Sequence, residues 1–216
     1  YLIGSPSFTQ TGDVVRYFNS AYLISPPTKH MSKYDKTHLV PFGEYVPLKK
    51  WLPFLGKMVA QVGDFKAGLE GKTLLWKTEQ VGVQICYEII FPGLSRAMAK
   101  NKASLLINIT NDAWFGKTSG PYQHFSMTVF RAVENRRTLV RSANTGISGF
   151  IDPAGRVLAS TPLLQDATLV RSIPLMKTKT VYTRIGDLFA QLCLAVALMV
   201  ILIEVVRYGV KRQKDS

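Results

Sequence analysis

The chain has 216 residues, a mass of 24.1 kDa and a formal net charge of +13, from 27 Lys and Arg against 14 Asp and Glu. Its 47% hydrophobic and 11% aromatic content is enough to bury a core, which excludes a disordered chain. Two cysteines exclude a disulfide scaffold, and no period of solenoid length repeats. The basic residues are scattered, as in Lys49-Lys50, Arg136-Arg137 and Lys211-Arg212, with no long stripe interleaved with aromatics. Such a balance fits a solvated face or an anionic membrane surface better than nucleic acid.

Apolar runs of strand length recur between Gly and Pro. Val14 to Ser25 reads as a strand or hairpin arm. Thr73 to Lys77 and Val81 to Cys86 read as short strands, and Ser104 to Thr110 as a fully buried one. Thr138 to Ala143, Ile147 to Ile151, Arg156 to Ala159 and Thr168 to Ile173 complete the set, with a turn at 152–155. Pro92 to Asn101 predicts a helix with Pro at its start, where the missing N–H costs nothing. Pro121 to Arg137 predicts a second, with Tyr122, Phe125, Val129, Ala132 and Val133 on one face. Strands alternating with helices predict an α/β sheet covered by helices.

The C-terminal end has a different character. Leu188 to Ile203 carries no charge and one polar side chain, Gln191; extending to Val206 admits only Glu204. As a helix, 188–206 would be roughly 28 Å long, close to the roughly 30 Å hydrocarbon core of a bilayer. No amphipathic period is visible, so a transmembrane span is expected rather than a surface helix. Arg207, Lys211, Arg212 and Lys214 follow it, and short basic flanks stay cytoplasmic. The expected organisation is a folded domain over 1–180, a span over 188–206 and a basic cytoplasmic tail over 207–216. A further apolar segment at 51–59, flanked by Lys49, Lys50 and Lys57, has the character of an interfacial arm.

Cys86 ends an apolar strand just before the helix opened by Pro92. A nucleophile at a strand-to-helix turn is exposed at the sheet edge, near main-chain N–H groups. Cys193, inside the apolar span, reads as a small packed hydrophobe. Around a Pro/Gly bend, Lys36 and Glu44 stand eight residues apart. An ammonium beside a thiol favours the thiolate and can bind an oxyanion. A third cluster, Asn108 to Gly116, follows the strand ending at Thr110. His30, His38 and His124 show no metal-ligand spacing, and no metal or other cofactor is called for.

Taken together, YDKTHLVPFGEYVP at 34–47, GVQICYEIIFP at 82–92, NITNDAWFG at 108–116, RAVENRR at 131–137 and RSANTGISGFIDPAGRV at 141–157 resemble the nitrilase superfamily of carbon–nitrogen hydrolases. Within it the chain is similar to the apolipoprotein N-acyltransferases of the bacterial envelope, from about Leu2 to Arg207. The resemblance implies an α-β-β-α sandwich followed by a C-terminal transmembrane helix. It implies Cys86 as nucleophile, Lys36 as oxyanion stabiliser with the Tyr87 N–H as second donor, and Glu44 as the acid that orients the site. Tyr87 and Glu88 would shape the pocket, Asn111 would contribute to substrate binding, and Trp114 would lie at the substrate entrance. The implied acyl donor is phospholipid and the implied acceptor a diacylglyceryl lipoprotein, at the bacterial inner membrane with the domain on the periplasmic side. That family's general base is a Glu placed before the Lys, yet residues 1–43 hold only Asp13 and Asp35 as acids. The resemblance therefore implies the C-terminal portion of a longer, multi-pass protein, lacking its base Glu. Two alternatives stay open. One is a membrane-anchored amidase of the same fold using water as acceptor; the other is a non-enzymatic basic module on a membrane or nucleic acid, for which Cys86 would be dispensable.

Overall fold

The computed structural model describes residues 1–25, 30–47 and 64–214; the apolar segment at 51–59 lies outside them, as does the end of the basic tail. Three antiparallel strands form a small sheet in the order β1 (Leu2–Thr11), β2 (Val14–Ser25), β3 (His30–Asp35). β1 and β2 meet at a two-residue turn, where Thr11 pairs with Val14 and Gly12 takes φ +59°. A positive φ at the first turn position suits the twist of a hairpin and favours glycine. Pro6, which has no N–H to give a ladder, sits in the edge strand β1.

The larger sheet has six strands in sequential order: β4 (Thr73–Trp76), β5 (Glu79–Ile85), β6 (Ala103–Thr110), β7 (Thr138–Ala143), β8 (Gly149–Ile151) and β9 (Val157–Ser160). β5, β6 and β7 are parallel and the outer pairings antiparallel. The parallel strands are the apolar runs read from the sequence, because such strands are covered on both faces. Helix α1 (Pro92–Lys100) connects β5 to β6, and α2 (Gly120–Asn135) connects β6 to β7.

The register separates the two faces. Gly82 pairs with Leu106, and both lie under Met98 of α1. Val83 pairs with Ile107 and Ile85 with Ile109, whose side chain reaches Gly4 of β1. The second face therefore packs on the small sheet, where Ala21, Leu23 and Tyr34 join the same core. Helices thus lie on one side of the large sheet and a second sheet on the other, so the described residues form three of the layers of the α-β-β-α sandwich that the resemblance implies.

Three expectations are corrected. Thr168 to Ile173 is not a strand; it leads into residues 174–176, which cross the starts of β6 and β7, where Met176 N–H donates to the Ser104 carbonyl and Thr138 Oγ1 to the Pro174 carbonyl. Crossing strand ends instead of lying beside them leaves no ladder to form. Of the apolar face expected on α2, Ala132 is buried and Phe125 and Val129 pack against the core, but Tyr122 and Val133 are exposed. In their place His124, Thr128, Arg131 and Asn135 are buried, at helical spacing. Cys193 is exposed rather than packed.

A short helix α3 (Val181–Ile185) leads into α4 (Leu188–Lys214). Thr180 caps α3 through Oγ1, which accepts from Thr183 N–H and donates to the Glu134 carbonyl. Arg96 of α1 donates to the carbonyls of Tyr182, Thr183 and Arg184. The domain thereby grips the chain where α4 departs. Within α4, the stretch Leu188–Tyr208 contains an 18-residue window with a mean hydropathy of 2.6, none of it buried against the rest of the described chain. The helix is long and apolar enough to cross a membrane.

A Cβ on Gly82 would stand 2.9 Å from Leu106 Cδ2 and 2.9 Å from Met98 Cβ. Gly82→Ala is expected to force α1 off the sheet and destabilise the domain by about 1–3 kcal/mol, read as a lowered denaturation midpoint with an unchanged m-value.

Candidate active site

β5 delivers Cys86 to the site. The strand ends at Ile85, and Cys86 opens a 3-10 turn over Cys86–Ile90 with φ +53°. That conformation costs an L-residue roughly 1–2 kcal/mol, so the surroundings must hold it. A sharp turn there presents the half-buried thiol at the edge of the sheet. The Tyr87 N–H lies in the first turn, where no carbonyl of the turn itself can accept it.

Lys36 arrives from the other sheet, one residue beyond β3. It is 1% exposed and donates to Glu44 Oε2 at 2.8 Å. The same oxygen accepts the Val40 N–H at 2.8 Å, and Oε1 accepts from Asn19 Nδ2 at 2.7 Å. Glu44 thus spends its oxygens on orienting the ammonium and closing its own loop. Cys86, Lys36 and Glu44 all line one cavity of about 960 Å³.

Tyr87, Asn111 and Trp114 line the same cavity. Trp114 is 86% exposed at its rim. Tyr87 stands edge-on to Phe91, ring centroids 5.5 Å apart. Asn111 Oδ1 accepts from Asn144 Nδ2 at 2.7 Å and from the Ala113 N–H at 3.1 Å. The remaining wall is mostly apolar, with Leu2, Ile3, Val40, Ile85 and Ile109.

Glu88 is not in the cavity wall. It is fully buried, and its carboxylate accepts the N–H groups of Ile85, Thr37 and His38 at 2.7, 2.6 and 3.0 Å and the Tyr34 hydroxyl at 2.9 Å. Burial raises its carboxyl above the ordinary range, against the pull of these donors. The Tyr34 phenol is raised as well, by burial and then by the Glu88 charge.

Behind Cys86, Asn108 and Asp112 of the third cluster join His124 and Arg141, to which sequence reading gave no role. Asp112 Oδ2 accepts from Arg141 Nη2 at 2.7 Å, and Asp112 Oδ1 stands 3.0 Å from His124 Nδ1. Asn108 Oδ1 accepts from Arg141 Nη1. Burial pushes the Asp112 carboxyl up, but the His124 hydrogen bond and the Arg141 charge hold it below its ordinary value. Two signals in the sequence point to this cluster: Arg141 interrupts an apolar strand, and a polar stripe at helical spacing runs along α2 from His124.

The resemblance to known proteins follows the same lines. An apolipoprotein N-acyltransferase of Geobacter metallireducens is 51% identical over 199 residues, which are 92% of this chain and 38% of that protein. One from Rhodopseudomonas palustris is 38% identical over 193 residues, 88% of this chain and 36% of that protein. The chain thus spans under two fifths of the length of these relatives. Among solved structures, Saccharomyces cerevisiae Nit3, a member of branch 10 of the nitrilase superfamily, matches 70% of this chain and 51% of its own at 21% identity and a TM-score of 0.51. An amidase from Nesterenkonia sp. matches 76% of this chain and 57% of its own at 22% identity and a TM-score of 0.52. These two share the fold. Residues 2–182, the whole of the two-sheet domain, match the carbon–nitrogen hydrolase family, and the chain belongs to it.

Proposed function

We propose that this chain carries the catalytic cysteine of a membrane N-acyltransferase acting on lipoproteins. The observation that carries the reading is the single cavity in which Cys86, Lys36 and Glu44 meet apolar walls, in a domain gripping a helix of membrane length. Homologues named apolipoprotein N-acyltransferase support the substrate class.

In this mechanism the Cys86 thiolate attacks the ester carbonyl of a phospholipid acyl chain. The oxyanion that forms is held by the Lys36 ammonium and the Tyr87 N–H. The C–O bond breaks, the lysophospholipid leaves with a proton, and the acyl group remains on sulfur as a thioester. The α-amine of a diacylglyceryl-cysteine then attacks the thioester, the C–S bond breaks, an amide forms, and the thiol is regenerated with the proton the amine loses. Splitting one hard transfer into two steps is what a covalent intermediate achieves. Glu44 orients Lys36, and Asn111 and Trp114 meet the substrate at the wall and rim of the cavity. The span lies in the bacterial inner membrane, with the domain on its periplasmic side.

Incubating the intact protein with phospholipid vesicles is expected to add one acyl mass at Cys86, and the adduct should be discharged to amide by a diacylglyceryl peptide. Discharge to free fatty acid alone would make the enzyme an amidase-type hydrolase instead. Cys86→Ala should carry no adduct while keeping its denaturation midpoint; an adduct surviving in that variant would place the nucleophile elsewhere. Lys36→Met keeps the volume and removes the charge. Acylation is expected to slow on the order of 10²–10³-fold, the scale of one oxyanion donor, and an unchanged rate would remove Lys36 from the mechanism. Protease added outside spheroplasts should digest the domain and spare 207–216, as the basic flank requires; digestion of the tail alone would invert the orientation.

A further inference from the structure

The buried cluster behind Cys86 has no part in the reaction as written, yet it ends on the nucleophile's own main chain. His124 Nε2 stands 3.3 Å from the Cys86 carbonyl oxygen, and Asn108 Nδ2 donates to the same oxygen at 3.4 Å. A carbonyl only accepts, so Nε2 carries the proton. Nδ1 of the same ring faces Asp112 Oδ1 at 3.0 Å and Arg141 Nη2 at 3.0 Å. Whether Nδ1 donates to the carboxylate or accepts from the guanidinium, the Nε2–H remains on Cys86. Arg141 also donates to Asn108 Oδ1 and to the Ile147 carbonyl, so both donors on Cys86 are oriented by one guanidinium. None of the four side chains belongs to a residue more than 5% exposed.

The Cys86 carbonyl and the Tyr87 N–H are two ends of one planar trans peptide, and they point in opposite directions. Holding the oxygen towards His124 and Asn108 aims the N–H the other way. We infer that His124 and Asn108, oriented by Asp112 and Arg141, are positioning residues that aim the Tyr87 N–H at the oxyanion by gripping the far end of its peptide. The inference rests on the reading of Cys86 as nucleophile. The left-handed turn at Cys86 explains why a grip is needed, since such a conformation persists only where its surroundings over-determine it. Hydrogen bonds to a peptide oxygen also polarise its N–H, which strengthens the donor.

The test separates oxyanion formation from thiol access. His124→Phe keeps a ring and removes the donor; His124→Gln keeps an N–H donor. Each is assayed in the intact protein for acylation of Cys86 by phospholipid vesicles and for alkylation of Cys86 by iodoacetamide, which displaces iodide and forms no oxyanion. His124→Phe is expected to slow acylation on the order of 10²-fold and leave alkylation unchanged, and His124→Gln to recover most of the loss. Acylation at the wild-type rate in His124→Phe overturns the inference, as does an equal loss in both reactions. A wild-type protein that forms no acyl adduct defeats the nucleophile reading and this inference with it. One measurement needs no variant to fold: nitrogen-15 histidine spectra of the wild-type protein should show His124 protonated at Nε2, and a neutral ring protonated only at Nδ1 overturns the assignment.

Discussion

Glu88 is the carboxylate on which the meeting of Lys36 and Cys86 depends. The two residues come from different sheets, and nothing in the pairing of either sheet brings them together. Glu88 accepts the N–H of Ile85, the residue before Cys86, and those of Thr37 and His38, just beyond Lys36. A short loop and a short turn are thereby fastened to one side chain. Burying that group is costly, and it is tolerated because four donors surround it. The raised carboxyl and phenol of Glu88 and Tyr34 record how dry this junction is.

Cys86 is flanked by a second buried polar structure of opposite design. Glu88 works through main-chain donors, whereas Asp112 and Arg141 form an ion pair whose residues are 1% and 2% exposed. Such a pair adds little net stability, but removing one partner strands the other charge at a cost of about 3–5 kcal/mol. Its value lies in geometry. The guanidinium orients Asn108 and His124 together, and both reach the Cys86 carbonyl, which the sharp turn there points to the interior.

The same economy of main-chain contacts joins the domain to α4. Arg96 takes three successive carbonyls of α3, and Thr180 satisfies both an N–H of α3 and a carbonyl of α2. The chain therefore enters its apolar helix from a fixed point on α1 and α2, whose other ends border the cysteine turn and the Asp112 cluster. The path of α4 and the setting of the thiol are built on the same two helices.

Much of this was legible without coordinates. Continuous apolar runs identified β5, β6 and β7, since parallel strands covered on both faces need no alternation. Pro92 marked the start of α1, and composition alone marked the helix from Leu188. Cys86, Lys36 and Glu44 stood out because short motifs keep residues and their spacing together. What could not be read was every relation between distant segments. Glu88 looks like a neighbour of the thiol in sequence, yet it bonds across 51 positions to Thr37 and turns away from the cavity. Beside the apolar contacts of Phe125, Val129 and Ala132, α2 buries a polar stripe, and Asp112 and Arg141, the partners of its His124, come from other elements. The extended stretch after Thr168 has the composition of a strand but crosses the ends of two others. Periodicity and motif spacing report on a residue's chain neighbours; which groups share a buried hydrogen bond is decided only when the sheets and helices close on one another.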